Sequence, residues 1–170
     1  MEDSTTSAIR PARDDDTAEL VRITLAAFEP IFAMFEEELG LSVFRLIWPD
    51  WRSSQSLGVE ALCGQRDKHA VLVAELDGAP VGFVAWDVDL ANRTGEVQLL
   101  AVDPRYQNRG IGTALNRAVL DRARAGGVKL IRVETGADPA HAPARRSYEK
   151  AGYVAMPLVR YFQALERQTY

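Results

Sequence analysis

The texture of the chain changes at Lys68, and that change does most to limit the folds open to it. Before it, apolar residues fall at helical spacing; after it, they alternate or run together as in strands. From Ala18 the series Leu20, Val21, Ile23, Leu25 and Ala27 fits a helix with one buried side. Asp14, Asp15, Asp16 and Thr17 stand ahead of it as candidate N-caps. Pro30 is expected to interrupt this helix. Ile31 to Trp51 reads as a second helical region that Gly40 kinks or breaks and Pro49 ends, and Ser53 to Gln65 as a short third one.

Beyond Lys68, Ala70 to Leu76, an Asp77-Gly78 turn and Pro80 to Asp87 form a hairpin pattern. Leu90 to Gly95 is polar enough for a loop, and Gly95 to Val102 reads as a third strand. Ile111, Ala114, Leu115, Ala118 and Val119 return to helical spacing, and Gly126-Gly127 supplies a stop. Leu130 to Thr135 reads as a buried strand, a short helix opens near Pro143 and ends at Gly152, and Tyr153 to Leu165 is expected to give a final pair of strands around Pro157. Ser7 to Pro11 fits a short edge strand, and the first six residues are expected to be loose. Helices followed by a strand meander and then strand–helix–strand–helix imply an α/β (α+β) fold: a mixed sheet with helices on both faces.

The chain of 170 residues, 47% hydrophobic and 26% charged, is long enough for a single globular domain with a real core, and no internal repeat or linker divides it. Its net charge of −4 argues against a nucleic-acid partner. The single cysteine, Cys63, has no partner for a disulfide or a metal cluster, so no metal is expected and a reducing, cytoplasmic setting is the default. No apolar run has the length of a membrane span, and the N-terminus does not read as a signal peptide.

One stretch is not explained by a core. Val102 to Leu115, VDPRYQNRGIGTAL, joins the third strand to a helix and places Gln107, Asn108, Arg109, Gly110, Ile111, Gly112 and Thr113 at its N-terminus. The first-turn N–H groups of a helix lack intrahelical acceptors and carry partial positive charge. Glycines remove the Cβ atoms that would hold a ligand away, and Arg109 adds a full charge. Together they make a seat for a phosphate or diphosphate. A tight turn with packing glycines is the bland alternative. A phosphate-binding P-loop lacks its Gly-Lys-Ser/Thr, and a dinucleotide fingerprint lacks its third glycine, since position 115 is Leu.

The whole string (strand, Val-Asp-Pro turn, Gln-x-x-Gly-x-Gly, amphipathic helix) resembles the acetyl-CoA motif of the GNAT superfamily of N-acetyltransferases. Ala144 to Tyr153, ARRSYEKAGY, is similar to that family's later motif, and Ser7 to Ala12 to its first strand. The resemblance implies a single-domain, mostly antiparallel sheet splayed at two central parallel strands, here Gly95–Val102 and Leu130–Thr135. It implies acetyl transfer from acetyl-CoA to a primary amine in a ternary complex. Pantetheine would bond to the backbone of Leu100, Ala101 and Val102, where a β-bulge could aim an N–H at the thioester carbonyl, and the diphosphate would sit on residues 108–113.

The resemblance also suggests residue roles. An alkyl amine of pKa about 10.4 is only about 0.04% neutral at pH 7, so a base is needed. Glu96, eleven residues before Gln107, stands where family members carry a glutamate base; strand alternation would put it on the face of Gln98 and Leu100, and a solvated glutamate is the other reading. Tyr148 matches the family's general acid for the leaving thiolate. His141 replaces an asparagine that contacts the coenzyme, and either contacts pantetheine or lies at the surface. Phe28, Phe32, Phe35, Trp48 and Trp51, with the acidic run Glu36-Glu37-Glu38, suggest an acid-rimmed aromatic site for a cationic acceptor, a small-molecule amine or a peptide N-terminus. Family members often form homodimers, although no stretch here marks a dimer surface. A non-catalytic acyl-CoA sensor and a nucleotide-binding α/β protein are the competing classes.

Overall fold

The computed structural model describes residues 8–165, so the expectations for residues 1–7 lie outside it. The chain opens with β1 (Ala8–Pro11), then α1 (Thr17–Ile47) and α2 (Trp51–Gly64). Asp16 does not cap α1 with its side chain; its carboxylate takes two bonds from the Arg10 guanidinium, 2.7 and 2.9 Å. Pro30 lies inside α1 and does not end it. The break falls at Gly40, whose φ of 74° and ψ of 153° suit glycine alone. Past that break Phe44 and Trp48 return to Phe32, and the Asp50 carboxylate accepts from the Ser53 amide to start α2.

The sheet is built from β2 (Ala70–Leu76), β3 (Ala79–Asp89) and β4 (Thr94–Val102), then, after α3 (Ile111–Ala125), β5 (Leu130–Val133); α4 (Ala142–Ala151) comes last. Its spatial order is β1-β2-β3-β4-β5, antiparallel except for the parallel β4–β5 pair. Alternation along β2 sorts the core. Val71 and Val73 pack with Leu20 and Ile23 of α1 and Val59 and Cys63 of α2, whereas Leu72 and Ala74 pack with Ile111, Leu115 and Val119 of α3. Helices therefore cover both faces, as the pattern predicted.

Strand β4 is irregular in two ways that open the sheet. Ala85 pairs with Leu99 but Trp86 with Val97, so Gln98 is an extra residue with no partner on β3, a β-bulge. The β4–β5 ladder then runs only from Thr94↔Leu130 to Val97↔Val133. Beyond Val97, β4 continues to Val102 while β5 has ended, and the two segments part. The final strand pair expected over Tyr153 to Leu165 does not form. Gly152 ends α4 with φ 97°, and the next segment runs irregular and largely exposed, leaving β5 at the sheet edge. No helix among the described residues is long and apolar enough to cross a membrane.

Candidate active site

The parting of β4 and β5 opens a cleft of about 590 Å³. Its floor is Val97 to Val102 of β4; its walls are the start of α3, residues 133–135 at and beyond the end of β5, His141 with Tyr148 of α4, and residues 27–31 of α1. Of the residues expected from sequence, Leu100, Ala101, Val102, Gln107, Asn108, Gly110, Ile111, Gly112, Thr113, His141 and Tyr148 line this one space. Glu96 and Arg109 do not.

The loop into α3 is preset for backbone approach. Asn108 and Gly110 both hold positive φ, 61° and 82°. The Gln107 amide donates to the Val102 carbonyl at 3.0 Å, tying the loop to the end of β4. The helical ladder begins with Ala114 N–H to Gly110 C=O at 2.9 Å, so the amides of Ile111, Gly112 and Thr113 precede the first intrahelical acceptor. A Cβ at Gly110 would meet nothing within 4 Å, whereas one at Gly112 would lie 3.1 Å from Ser147 Oγ. Gly110 therefore faces open space, and Gly112 admits α4. Asn116, buried behind it, donates to the Gly112 carbonyl and to Ser147 Oγ at 3.1 and 3.0 Å.

The bulge at Gln98 overturns the expected alignment of Glu96. Val97 and Leu100 both pack on the α3 side, so Glu96 lies on the opposite face from Leu100. Its carboxylate accepts from Arg132 of β5 at 2.5 Å. It is the neutralised partner of a cross-strand ion pair, outside the cleft.

His141 lies in the cleft wall. Its Nδ1 lies 2.6 Å from Asp138 Oδ2, with the two side chains only 13% and 11% exposed. Asp138 Oδ1 also accepts the His141 backbone N–H. Burial pushes the Asp138 carboxyl up, but the bonds from His141 outweigh it and hold the group below the usual range. An ionised Asp138 is an acceptor only, which assigns a proton to Nδ1; in the neutral form of the ring Nε2 is then the acceptor. The Phe35 ring stands 5.8 Å from the imidazole, and Arg145 Nη1 donates to the carbonyls of Gly136 and Asp138, both at 2.6 Å. A Cβ at Gly136 would fall 2.1 Å from Asp138 Oδ2, so only glycine leaves room for the pair. Arg145 is thereby occupied by backbone. The signal missed in sequence is Asp-Pro-Ala-His, a capping aspartate three residues before a histidine.

Tyr148 packs against Tyr153, ring centroids 5.7 Å apart, and burial pushes its hydroxyl up to about 12. It is a phenol, and hence a donor, across the neutral range. Asp103, 1% exposed, accepts from the Arg105 amide and side chain and from Arg22. Those bonds, Arg105 first, hold its carboxyl far below the usual range, which fits the turn-forming role expected of Asp103-Pro104. Arg105 is thus engaged, and Arg109 lies over the Tyr106 ring at 5.3 Å.

Most of the aromatics expected to hold the acceptor belong instead to a core. Phe32 stacks on Trp51 at 4.3 Å and Phe35 on Trp48 at 5.0 Å; with Phe44 they form a cluster where the two limbs of the broken α1 meet α2. Of the five aromatics only Phe28 reaches the cleft, beside Pro30, Ile31 and Gln55. Glu36, Glu37 and Glu38 stand away from it; its lining carboxylate is Glu134.

The family model described as Acetyltransferase (GNAT) family matches residues 40–153, more than half of the chain. A mycothiol acetyltransferase from Sanguibacter keddieii is 40% identical over 92 residues, 51% of this chain and 29% of that protein. The chain spans less than half the length of the curated relatives it matches. Among solved structures, the PaiA N-acetyltransferase of Thermoplasma acidophilum in complex with coenzyme A superposes with a TM-score of 0.67 at 20% identity, covering 88% of this chain and 91% of that one. An aminoglycoside acetyltransferase from an uncultured soil metagenomic sample, in complex with sisomicin, gives a TM-score of 0.63 at 21% identity, covering 97% and 100%.

Proposed function

We propose that this chain, which belongs to the acetyltransferase (GNAT) family, moves an acetyl group from acetyl-CoA to a primary amine by direct attack with both substrates bound. The observation that carries this reading is the cleft itself. β4 and β5 part beyond Val97 and Val133, and the space they open is lined by the unengaged start of α3 on one side and by His141 and Tyr148 on another. The residues fit the coenzyme. Gly110 leaves open the volume a side chain would fill, the amides of residues 111–113 await an anion, and β4 offers an unpaired edge from Gln98 to Val102 for an amide-bearing arm. Arg146 and Lys150 also line the cleft and suit phosphate oxygens.

Acetyl-CoA supplies the acetyl group and the leaving thiolate. The remaining steps belong to the protein. The bulge at Gln98 turns backbone of β4 toward the cleft, where an N–H can bond the thioester oxygen as charge grows there. His141 Nε2, with Nδ1 tied to Asp138, takes the proton of the attacking ammonium directly or through one water; Glu96 does not, because Arg132 holds it elsewhere. Tyr148 donates a hydrogen bond to the departing sulfur. The acceptor enters against Phe28, Ile31 and Gln55, a wall suited to a small amine with an apolar or sugar-like body, and Glu134 supplies a carboxylate that would draw its charge.

Titration calorimetry with coenzyme A and an assay of thiol release over a panel of small amines, aminoglycosides and peptides test the reading. Micromolar binding with thiol release for at least one amine is expected. Tight binding without release across the panel would make the protein an acyl-CoA sensor. Stabilisation by ATP or NAD but not by coenzyme A would replace the reading altogether.

A further inference from the structure

The Asp138–His141 pair hangs on a loop that has no ladder of its own. Residues 135–137, between the end of β5 and the turn that carries Asp138, belong to no helix or strand and enter no backbone–backbone hydrogen bond among the described residues. Side chains hold this loop instead. Arg145 Nη1 donates to the carbonyls of Gly136 and Asp138, nine and seven residues back, both at 2.6 Å. Arg145 stands in the first turn of α4, and helical side chains lean toward the N-terminus, so its guanidinium lies over the loop. It forms no ion pair among the described residues, and unlike its neighbour Arg146 it does not line the cleft.

A half-buried cation spent on two carbonyls needs a reason, and the reason lies in the pair those carbonyls flank. A neutral imidazole free in water prefers its proton on Nε2. His141 keeps it on Nδ1 only while Asp138 Oδ2 stays at 2.6 Å. A loop displacement of about 1 Å would stretch that contact beyond hydrogen-bond range. The room for such movement is small on one side: a Cβ at Gly136 would lie 2.1 Å from Asp138 Oδ2 and 2.5 Å from His141 Nδ1. The loop backbone therefore runs in contact with the pair, and the pair follows wherever that backbone is held.

We propose that Arg145 is a positioning residue for the Asp138–His141 pair: by fixing the carbonyls of Gly136 and Asp138 it keeps the imidazole proton on Nδ1 and the Nε2 lone pair available to the cleft. The inference rests on the reading of His141 as the base and extends it to a side chain that touches neither substrate. It separates two neighbouring arginines by role. Arg146 lines the cleft and suits phosphate oxygens; Arg145 faces the loop and acts through backbone.

The imidazole can be read directly in the ligand-free protein. The chain has two histidines, and His69 lies beside Asp87 of β3, so nitrogen-15 spectra of the ring nitrogens carry an internal control. With both rings neutral, wild-type His141 is expected to be protonated at Nδ1. Arg145→Met removes the donors and keeps the stem; it should move His141 toward the Nε2-protonated form and leave His69 unchanged. Arg145→Gln, too short to reach both carbonyls, should do the same and serves if the first variant does not fold. Turnover of Arg145→Met should fall about 10-fold in kcat, part of the ~100-fold at the low end of a general base's contribution, with calorimetric affinity for coenzyme A unchanged. An unchanged His141 tautomer in these variants would overturn the proposal, and a loss of coenzyme A affinity alongside it would make Arg145 a phosphate ligand. If the wild type acetylates no amine, the functional reading falls, while the tautomer of the ligand-free variants still decides what Arg145 holds.

Discussion

In the proposed reaction His141 and Asp138 divide the task of one base between two side chains. Asp138 fixes the tautomer and holds the ring; His141 presents the lone pair. Asp138→Asn keeps an oxygen for the His141 amide but no longer dictates which nitrogen carries the proton. We expect His141→Gln to lower kcat about 100-fold, the low end for loss of a general base, with coenzyme A affinity nearly unchanged. The limb of the pH–rate profile on which activity rises with pH should vanish in that variant and weaken in Asp138→Asn. A profile of unchanged shape in His141→Gln would return the ring to a structural role. Tyr148 contributes differently. With its hydroxyl pushed up to about 12, well above the ordinary thiol value of about 8.5, it is better suited to hydrogen-bond the sulfur than to surrender its proton. Tyr148→Phe should therefore cost about 10–100-fold in kcat, the range of a hydrogen bond to a charged group, without moving either pH limb near neutrality. A new limb in stopped-flow thiol-release rates would instead identify Tyr148 as a titrating acid.

Elements carry the geometry that puts those residues in one place, and Gly40 is the clearest lever. Its φ of 74° and ψ of 153° turn the second limb of α1 back so that Phe44 and Trp48 meet Phe32. A Cβ there meets nothing, so Gly40→Ala isolates backbone strain from sterics. It should cost about 1–3 kcal/mol in urea unfolding, and a neutral or stabilising result would show that the break is not held by this backbone. The element order, the Asp77-Gly78 hairpin and the loop into α3 were legible because periodicity, turn chemistry and a glycine-rich helix start are local. Pro30 misled because tertiary packing carried α1 past the missing hydrogen bond. Glu96 misled because period-2 alternation holds only until a residue is inserted, and the unpaired Gln98 stands two positions after it. Asp138 went unread because its value lies in contact with His141, and the final strands failed to appear because β pairing needs a partner that composition cannot name.

At the scale of the whole molecule, two buried carboxylates join distant parts of the chain. Asp16 receives Arg10 of β1, which also reaches Glu75 of β2, so one guanidinium pins the start of α1 to the sheet. Asp103, at the end of β4, receives Arg22 of α1 and Arg105 of the next turn. Both carboxyls are held below their ordinary value, Asp16 chiefly by Arg10 and Asp103 chiefly by Arg105 with Arg22 second. A folded-state pKa below the unfolded value near 3.9 adds stability that is fully present above that value and is lost as pH falls through and below it. The melting temperature should then hold steady from pH 8 to about pH 5 and drop steeply below about pH 4. Asp103→Asn is the sharper test, because it removes the charge and nearly keeps the shape. At pH 7 the variant should be less stable by about 1.5–3 kcal/mol, the range for a hydrogen bond to a charged group. As pH falls, the wild-type carboxylate is protonated at increasing cost while the amide is not, so the two unfolding curves should converge toward pH 3. A gap that stays constant from pH 7 to pH 3 would mean that Asp103 acts through shape alone, and that the acid limit of this fold is set elsewhere.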